Sequence, residues 1–147
     1  MNSVFEVEVF IMDNEIKGDN YQNIVNKQRK IFLRDLSNGL FRILILWTLK
    51  NKDLHGYGLM KEIDTFFQPQ IEDGLINKSR SNKIYPILKD MEHDGLIKKY
   101  DGTHEKKNIK IYKITETGQK VFDHHKTNLQ ESMKREPWKQ FTDYVMS

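Results

Sequence analysis

The stretch that decides the fold is SNKIYPILKDMEHDGLIKKY, residues 81–100. Its apolar side chains recur at intervals of three and four residues, as on the buried face of a helix: Ile84, Ile87, Leu88 and Met91. Ser81 is suited to cap this helix, because its hydroxyl accepts a backbone N–H. Gly95 is suited to end it, because glycine readily adopts the left-handed conformation found after a helix. The sequence therefore predicts a short amphipathic helix with a polar, basic outer face.

Two β-type runs follow this helix, at residues 96–100 and 109–114. The residues between them, 101–108, are polar and include the Asp101-Gly102 turn signal. We expect a β-hairpin with a long basic loop at its tip. The next helix is expected to begin after Thr115, which can cap it, and to break at Pro137.

Two more helices are predicted upstream. Residues 40–49 are apolar on nearly every face, which is typical of a central core helix, and they follow a break at residues 37–39. This run is half as long as the roughly 20 residues of a membrane span. We therefore assign it, with Trp47, to the core of the protein.

The second upstream helix begins after residues 54–58 and ends at Pro69, and residues 68–81 are expected to form a loop. Tyr57, beside two glycines, is more often an anchoring core ring than a ligand contact in such a position.

The two ends of the chain extend beyond this domain. Residues 4–11 alternate apolar and polar side chains, which indicates a short strand or a tail, and a helix with a narrow apolar stripe follows. Trp138, after Pro137, is interpreted as part of a dimer contact, in preference to the lining of an effector cavity. The predicted organisation is an N-terminal extension over 1–36, a central domain over 37–117 and a C-terminal dimerisation helix over 118–147.

The positive charge is concentrated in one quarter of the chain. The 147 residues carry a net charge of +3, yet residues 76–113 alone hold ten basic and five acidic groups, a local +5. Clustered lysines and arginines bind phosphate by releasing its counterions, although a run of this size is as often a solvated surface. The chain has no cysteine, and its start lacks a basic leader, so we expect a protein of the reducing cytoplasm.

Three helices followed by a hairpin is the element order of a winged helix-turn-helix, in which the third helix enters the major groove of DNA and the hairpin, or wing, contacts the flanking backbone or minor groove. The local +5 coincides with these two elements. We therefore predict a mainly α (α+β) fold, a winged helix-turn-helix with a two-stranded wing, an N-terminal extension and a C-terminal dimerisation helix.

Four segments covering about residues 40–122 resemble, in the correct order, the PadR family of transcriptional regulators: Leu54-His55-Gly56-Tyr57-Gly58-Leu59, Lys83-Ile84-Tyr85-Pro86-Ile87-Leu88, Met91-Glu92-His93-Asp94-Gly95-Leu96-Ile97 and Tyr112-Lys113-Ile114-Thr115-Glu116-Thr117-Gly118. The resemblance implies a dimeric repressor whose C-terminal helix forms much of the dimer interface. It also implies that a phenolic or other small apolar effector is a candidate ligand. Residues 81–83 depart from the Pro-Gly-Thr turn common in the family, so no base preference is transferred.

The placement of the side chains predicts their roles. Asn82 and Lys83 are expected at base edges, since Asn pairs with adenine and Lys with guanine. Contacts to phosphate that fix the register are expected from Ser79, Arg80, Tyr85 and Lys89. Sequence-independent attraction is expected from the wing lysines Lys106, Lys107 and Lys110.

The remaining motifs favour no catalytic chemistry. Gly56 and Gly58 are too sparse for a phosphate loop, and His124 and His125 are adjacent, so on a helix they point about 100° apart and chelate one ion poorly. We expect no enzyme, no cofactor and no metal site. Two alternatives stay open: a winged-helix module that binds an acidic protein partner, and regulation by residues 1–36 packing against the C-terminal helix of a second subunit.

Overall fold

The computed structural model describes residues 18–147, so the strand or tail predicted over residues 4–11 lies outside the described residues. The described chain forms two compact units. One contains residues 18–39 and Gln68–Asn77, and the other contains Leu40–Phe67 and Lys78–Ser147.

The first helix, α1, runs from Asp19 to Asn51 without interruption, so the predicted break at residues 37–39 is wrong. Ser37 lies inside the helix, where its hydroxyl donates to the carbonyl of Arg34 at 3.0 Å. Gly39 is also helical. A single glycine costs about 1 kcal/mol relative to alanine, which the surrounding helical hydrogen bonds outweigh.

Residues 68–72 form a short helix, α3, where a loop was predicted. The preceding helix, α2, spans Gly56–Thr65 and its C-cap is Phe66. Pro69 therefore does not end α2, and the prediction that it does is wrong. The proline lies in the first turn of α3. Backbone N–H groups there have no acceptor within the helix, so the absence of an N–H in proline costs no hydrogen bond.

Helix α4 spans Ser81–His93 and is the predicted amphipathic helix. Its N-cap is Arg80 rather than Ser81, and no side chain caps it, so the predicted capping by Ser81 is wrong. The helix begins one residue early because the carbonyl of Arg80 already accepts the N–H of Ile84 at 3.1 Å. The predicted end is confirmed: Gly95 has φ +78°, and the N–H of Leu96 returns to the carbonyl of Met91 at 3.0 Å.

The sheet has three antiparallel strands in the order β1-β3-β2: β1 over Leu54–His55, β2 over Ile97–His104 and β3 over Lys107–Ile114. The predicted long loop is replaced by a two-residue turn, Glu105-Lys106, because the ladder continues until His104 faces Lys107. Both turn residues have positive φ, 50° and 65°, as in the tight hairpin turns whose twist matches that of the strands.

Two helices complete the chain, α5 over Glu116–Met133 and α6 over Trp138–Met146. The predicted cap is confirmed, since the hydroxyl of Thr115 accepts the N–H of Gly118 at 3.0 Å. The predicted break is also confirmed, with Pro137 as the N-cap of α6. Among the described helices, none combines the length and the apolar composition that crossing a membrane demands.

The core of the second unit joins α1, α2, α4, the sheet and α5. Its largest fully buried side chains come from all of these elements except α5, which contributes the buried Phe122: Ile45, Leu46, Leu49, Leu59, Ile63, Ile84, Leu88, Met91 and Ile97. A winged helix-turn-helix fold is therefore confirmed, with a short third strand added to the two-stranded wing.

Two aromatic residues assigned to the core lie at the surface instead. Trp47 is 44% exposed and stacks on Phe122 of α5, with ring centroids 6.0 Å apart. Tyr57 is 56% exposed, and the ammonium of Lys61 lies 4.9 Å from its ring centre. Residues 40–49 are apolar around the helix, but the neighbouring elements cover only part of its circumference.

Candidate nucleic-acid interface

Helix α4 presents a polar face that its packing leaves exposed. Ile84, Leu88 and Met91 are fully buried against the core. Asn82 and Lys89 are exposed, seven residues and two turns apart, so they share the outer face of the helix. The helix therefore offers one amide and one ammonium on the same side.

The start of α4 is fixed by a carboxylate of α2. Both carboxylate oxygens of Asp64 accept the backbone N–H of Ser79, at 3.1 and 3.2 Å. The backbone donor of Ser79 is therefore used inside the protein. Arg80, the next residue, is exposed at the N-cap of the helix. Asp64 thus positions the residues that lead into α4.

The structure separates Lys83 from the outer face. Its ammonium lies 4.4 Å from the ring centre of Phe41 in α1, and the side chain is half-buried. Burial lowers the pKa of Lys83, and the negative charge of Asp64 opposes that shift. Adjacent helical residues point about 100° apart, which explains why Asn82 faces outward while Lys83 packs inward.

Tyr85 belongs partly to the outer face and partly to the packing. It is 43% exposed, yet its ring lies against Gly56 at the start of α2. A Cβ atom at Gly56 would lie 2.5 Å from the Tyr85 hydroxyl oxygen, so a glycine is needed there. Burial, and then the neighbouring Tyr85 and Glu92, raise the pKa of Tyr112 in β3. Tyr85 therefore links α2, α4 and the sheet.

The lysines of the wing fall into two groups. Lys106 and Lys107, at the turn, are exposed, and within the described part of the chain neither forms an ion pair. Lys110 is different, because its ammonium is hydrogen-bonded to the carboxylate of Asp101, its partner across the strands. This bond, and the lysine's charge, lower the pKa of Asp101. Lys110 is therefore paired with a carboxylate, whereas Lys106 and Lys107 have no such partner among the described residues.

Several charged residues that the sequence did not single out shape the same surface. Lys98 and Lys113 face each other across β2 and β3, and both are exposed. Arg42 of α1 binds Asp90 of α4 at 2.8 Å. The lysine run of residues 76–113 signals the first pair, whereas no sequence pattern signals an ion pair between residues 48 positions apart.

The predicted site residues thus lie on two connected elements. Asn82, Tyr85 and Lys89 are on α4, Lys106 is in the turn of the wing, and Lys107 is the first residue of β3 beside it. An amphipathic helix with an exposed polar face, followed directly by a basic two-stranded hairpin, defines the winged helix-turn-helix class of regulators.

Comparison with known proteins places the chain within that class. The family model described as the transcriptional regulator PadR-like family matches residues 45–124, more than half of the chain, from the core helix α1 into α5. The chain belongs to this family, and the resemblance seen in the sequence is confirmed.

Solved structures share the fold. A transcriptional regulator from Clostridium thermocellum is 26% identical, with a TM-score of 0.52 over 68% of this chain and 92% of that one. A PadR family transcriptional regulator from Eggerthella lenta is 23% identical, with a TM-score of 0.55 over 85% of this chain and 91% of that one. The comparison with curated proteins finds no match.

Proposed function

We propose that this transcriptional regulator acts as a homodimeric repressor that binds a specific DNA sequence with α4 in the major groove and the wing on the flanking backbone or minor groove. The observation that carries the proposal is the exposed, uncompensated basic and amide groups on α4 and on the wing turn. An α-helix fits the major groove, where base edges can be read, and clustered lysines bind phosphate.

The geometry refines the roles of the helix residues. Asn82, exposed near the start of α4, is the candidate for a base contact, because an amide pairs with the edge of adenine. Arg80 and Lys89 flank it and suit phosphate oxygens. Lys83 reaches a base only by leaving the Phe41 ring, so we assign it a weaker role than Asn82. Ser79 and Tyr85 serve mainly to position α4.

The wing residues are assigned in the same way. Lys106 and Lys107 carry the attraction to the backbone, and Lys110 contributes less because Asp101 neutralises it. Lys98 and Lys113, exposed nearer the base of the wing, are added as candidates for backbone contacts.

The proposed dimer rests on apolar side chains that α5 and α6 leave exposed. They are Leu129, Met133, Trp138, Phe141 and Val145, each between 46% and 58% exposed. Contiguous exposed apolar surface usually marks an interface. Light scattering is expected to give twice the mass of one 17.6 kDa chain. Phe141→Glu is expected to produce the monomer, whereas Gln130→Glu on α5 is the control. A wild-type monomer at micromolar concentration would contradict the dimer.

An aromatic effector of the kind implied by the resemblance would meet an exposed indole at Trp47, stacked on Phe122. Tryptophan fluorescence in a Trp138→Phe background, titrated with a phenolic acid, tests this contact. In that background Trp47 is the single tryptophan, so saturable quenching supports the contact and a linear response refutes it.

The decisive experiment for the main proposal is selection of bound sequences from a random duplex pool. We expect a near-palindrome with half-sites about 34 Å apart, the spacing of successive major grooves on one side of DNA. Asn82→Ala is expected to relax the preference at one base position, and Asp123→Asn on α5 is the control. Failure to bind any duplex at low salt would refute the proposal and favour an acidic protein partner.

A further inference from the structure

Two histidines meet across the sheet. His55 ends β1 and His104 ends β2, and their ring centroids lie 4.4 Å apart with the planes inclined by 31°. Their partners on β3 are Ile111 and Lys107, four residues apart, so both side chains lie on one face of the sheet. The partners are separated by about 13 Å along the strand, at 3.3–3.4 Å per residue. The contact between the two tilted rings therefore joins the wing tip to the base of the sheet.

The ring of His55 also packs on the first turn of α2. A Cβ atom at Gly58 would lie 2.9 Å from its Cε1 atom, which is closer than side chains normally approach. The ring of Tyr57 lies 6.3 Å away on the same side. His55 is thus held between α2 and His104, and His104 is the residue of the wing that reaches it.

The surroundings of His55 favour its neutral form. Lys61 of α2 and Lys107 of β3 are positive, and Lys107 is the cross-strand neighbour of His104. Glu105, in the turn, is the acidic residue facing the pair, with its carboxylate 3.7 Å from Nε2 of His104. Burial and then His104 lower the pKa of His55, Lys61 acts in the same direction, and Glu105 opposes them.

We propose that His55 and His104 form a pH-sensitive clamp, which holds the wing tip against the start of α2 and releases it when the imidazoles become protonated. Two neutral rings stack, whereas two imidazolium groups at this distance repel each other. The pKa of His55 is lower in the folded protein than the ordinary value of 6.5. The neutral ring therefore favours the folded contact at every pH above 6.5. The contact is therefore complete above that pH and is lost as the pH falls through the lowered pKa. The consequence for DNA rests on the proposed function.

The clamp is tested first on the free protein by NMR between pH 8 and pH 5. We expect the amide shifts of residues 103–108 to follow the titration of His55. In His104→Gln, the pKa of His55 should rise towards its ordinary value. In His55→Phe, which keeps an aromatic ring without a titratable nitrogen, the nuclear Overhauser contact between the rings at positions 55 and 104 should persist at pH 5, although His104 still titrates. His124→Gln on α5 is the control. In this variant the titration of His55 and the amide shifts of residues 103–108 should match those of wild type.

Amide shifts that ignore the titration of His55, or a His55 pKa unchanged in His104→Gln, would overturn the clamp. A second measurement compares DNA binding at pH 8 and pH 5.5. The ratio of the affinities at pH 8 and pH 5.5 should be larger in wild type than in His55→Phe, because only wild type releases the wing at the lower pH. If no variant binds DNA at either pH while the NMR titration behaves as expected, the proposed function fails and the clamp stands. If wild type and His55→Phe lose the same factor of DNA affinity, the clamp does not control DNA binding.

Discussion

The wing turn gives the sharpest quantitative prediction, because Lys106 and Lys107 are exposed and uncompensated while Lys110 is bonded to Asp101. In the proposed dimer on DNA, replacing both lysines by alanine would remove two phosphate contacts per protomer and four in all. The logarithm of affinity falls with the logarithm of salt concentration by about 0.9 per contact, so the slope should decrease by about 3.6.

The size of this effect is measurable. Over a fourfold rise in salt, from about 50 to 200 mM, a slope difference of 3.6 corresponds to roughly a 150-fold ratio. Wild type should therefore lose about 150 times more affinity than the Lys106→Ala/Lys107→Ala variant across that range. Fluorescence anisotropy of a labelled duplex at five or more salt concentrations gives both slopes. The decrease should be the same on random and selected DNA, because phosphate carries no sequence information.

Two further variants control this experiment. Lys120→Ala/Lys126→Ala removes the same charge from the exposed surface of α5 and should leave the slope unchanged. Lys110→Ala should change the slope by less than Lys107→Ala, because the ammonium of Lys110 is already bonded to Asp101 and is less available to a phosphate. A slope equal to that of wild type after loss of both turn lysines would place the wing outside the interface. An equal effect of Lys110→Ala and Lys107→Ala would refute the argument from charge compensation.

Three predictions concern the framework that holds the interface, each measured by urea unfolding. Glu105→Asn/Lys106→Gly should stabilise the protein by about 1 kcal/mol, because both positions have positive φ and Asn-Gly suits that turn; destabilisation would contradict the turn geometry. Asp64→Asn should cost about 1–3 kcal/mol through the weakened bond to the N–H of Ser79, and an unchanged free energy of unfolding would show that the carboxylate is not required. Thr115→Ala should cost about 1 kcal/mol and Thr115→Ser much less; equal losses would exclude a hydroxyl cap.

The sequence predicts best those features that depend on local periodicity or on a single capping group. The buried stripe of α4, the end of that helix at Gly95 and the cap of α5 by Thr115 all agree with the structure. Each is decided within about one helical turn of chain. The continuity of α1 through Gly39 cannot be predicted from so short a stretch. The low helix propensity of one glycine is outweighed by the hydrogen bonds of a long helix.

The hairpin shows a second kind of limit. The polar residues 101–108 are typical of a loop, and yet they form a regular ladder with a two-residue turn. Backbone hydrogen bonds between the strands do not require apolar side chains, so the ladder extends into solvent beyond the core. Polarity alone therefore overestimated the length of the loop.

The third limit concerns which charged groups are available to a partner. Counting lysines gives the +5 of residues 76–113, but Lys99 is paired with Glu92 at 3.5 Å and Lys110 with Asp101. Both pairs involve residues on one face of the sheet, because positions 99, 101, 110 and 112 share it. These pairings are decided by strand register and helix packing, which the sequence does not state.

The fold therefore pairs some lysines of this segment with carboxylates and leaves others without such a partner among the described residues. Two acidic groups of this segment, Glu92 and Asp101, pair with lysines along the shaft of the wing, whereas Lys106, Lys107 and Lys89 form no ion pair with any residue that the structure describes. A surface charge that is not paired within its own protein gives up no ion pair when it meets a phosphate, although an exposed pair contributes only about 0–1 kcal/mol. Lysines that form no ion pair with the described residues therefore lie both at the wing tip and on α4, as the proposed contact of both elements with DNA requires. The difference predicted between Lys107→Ala and Lys110→Ala measures this arrangement directly.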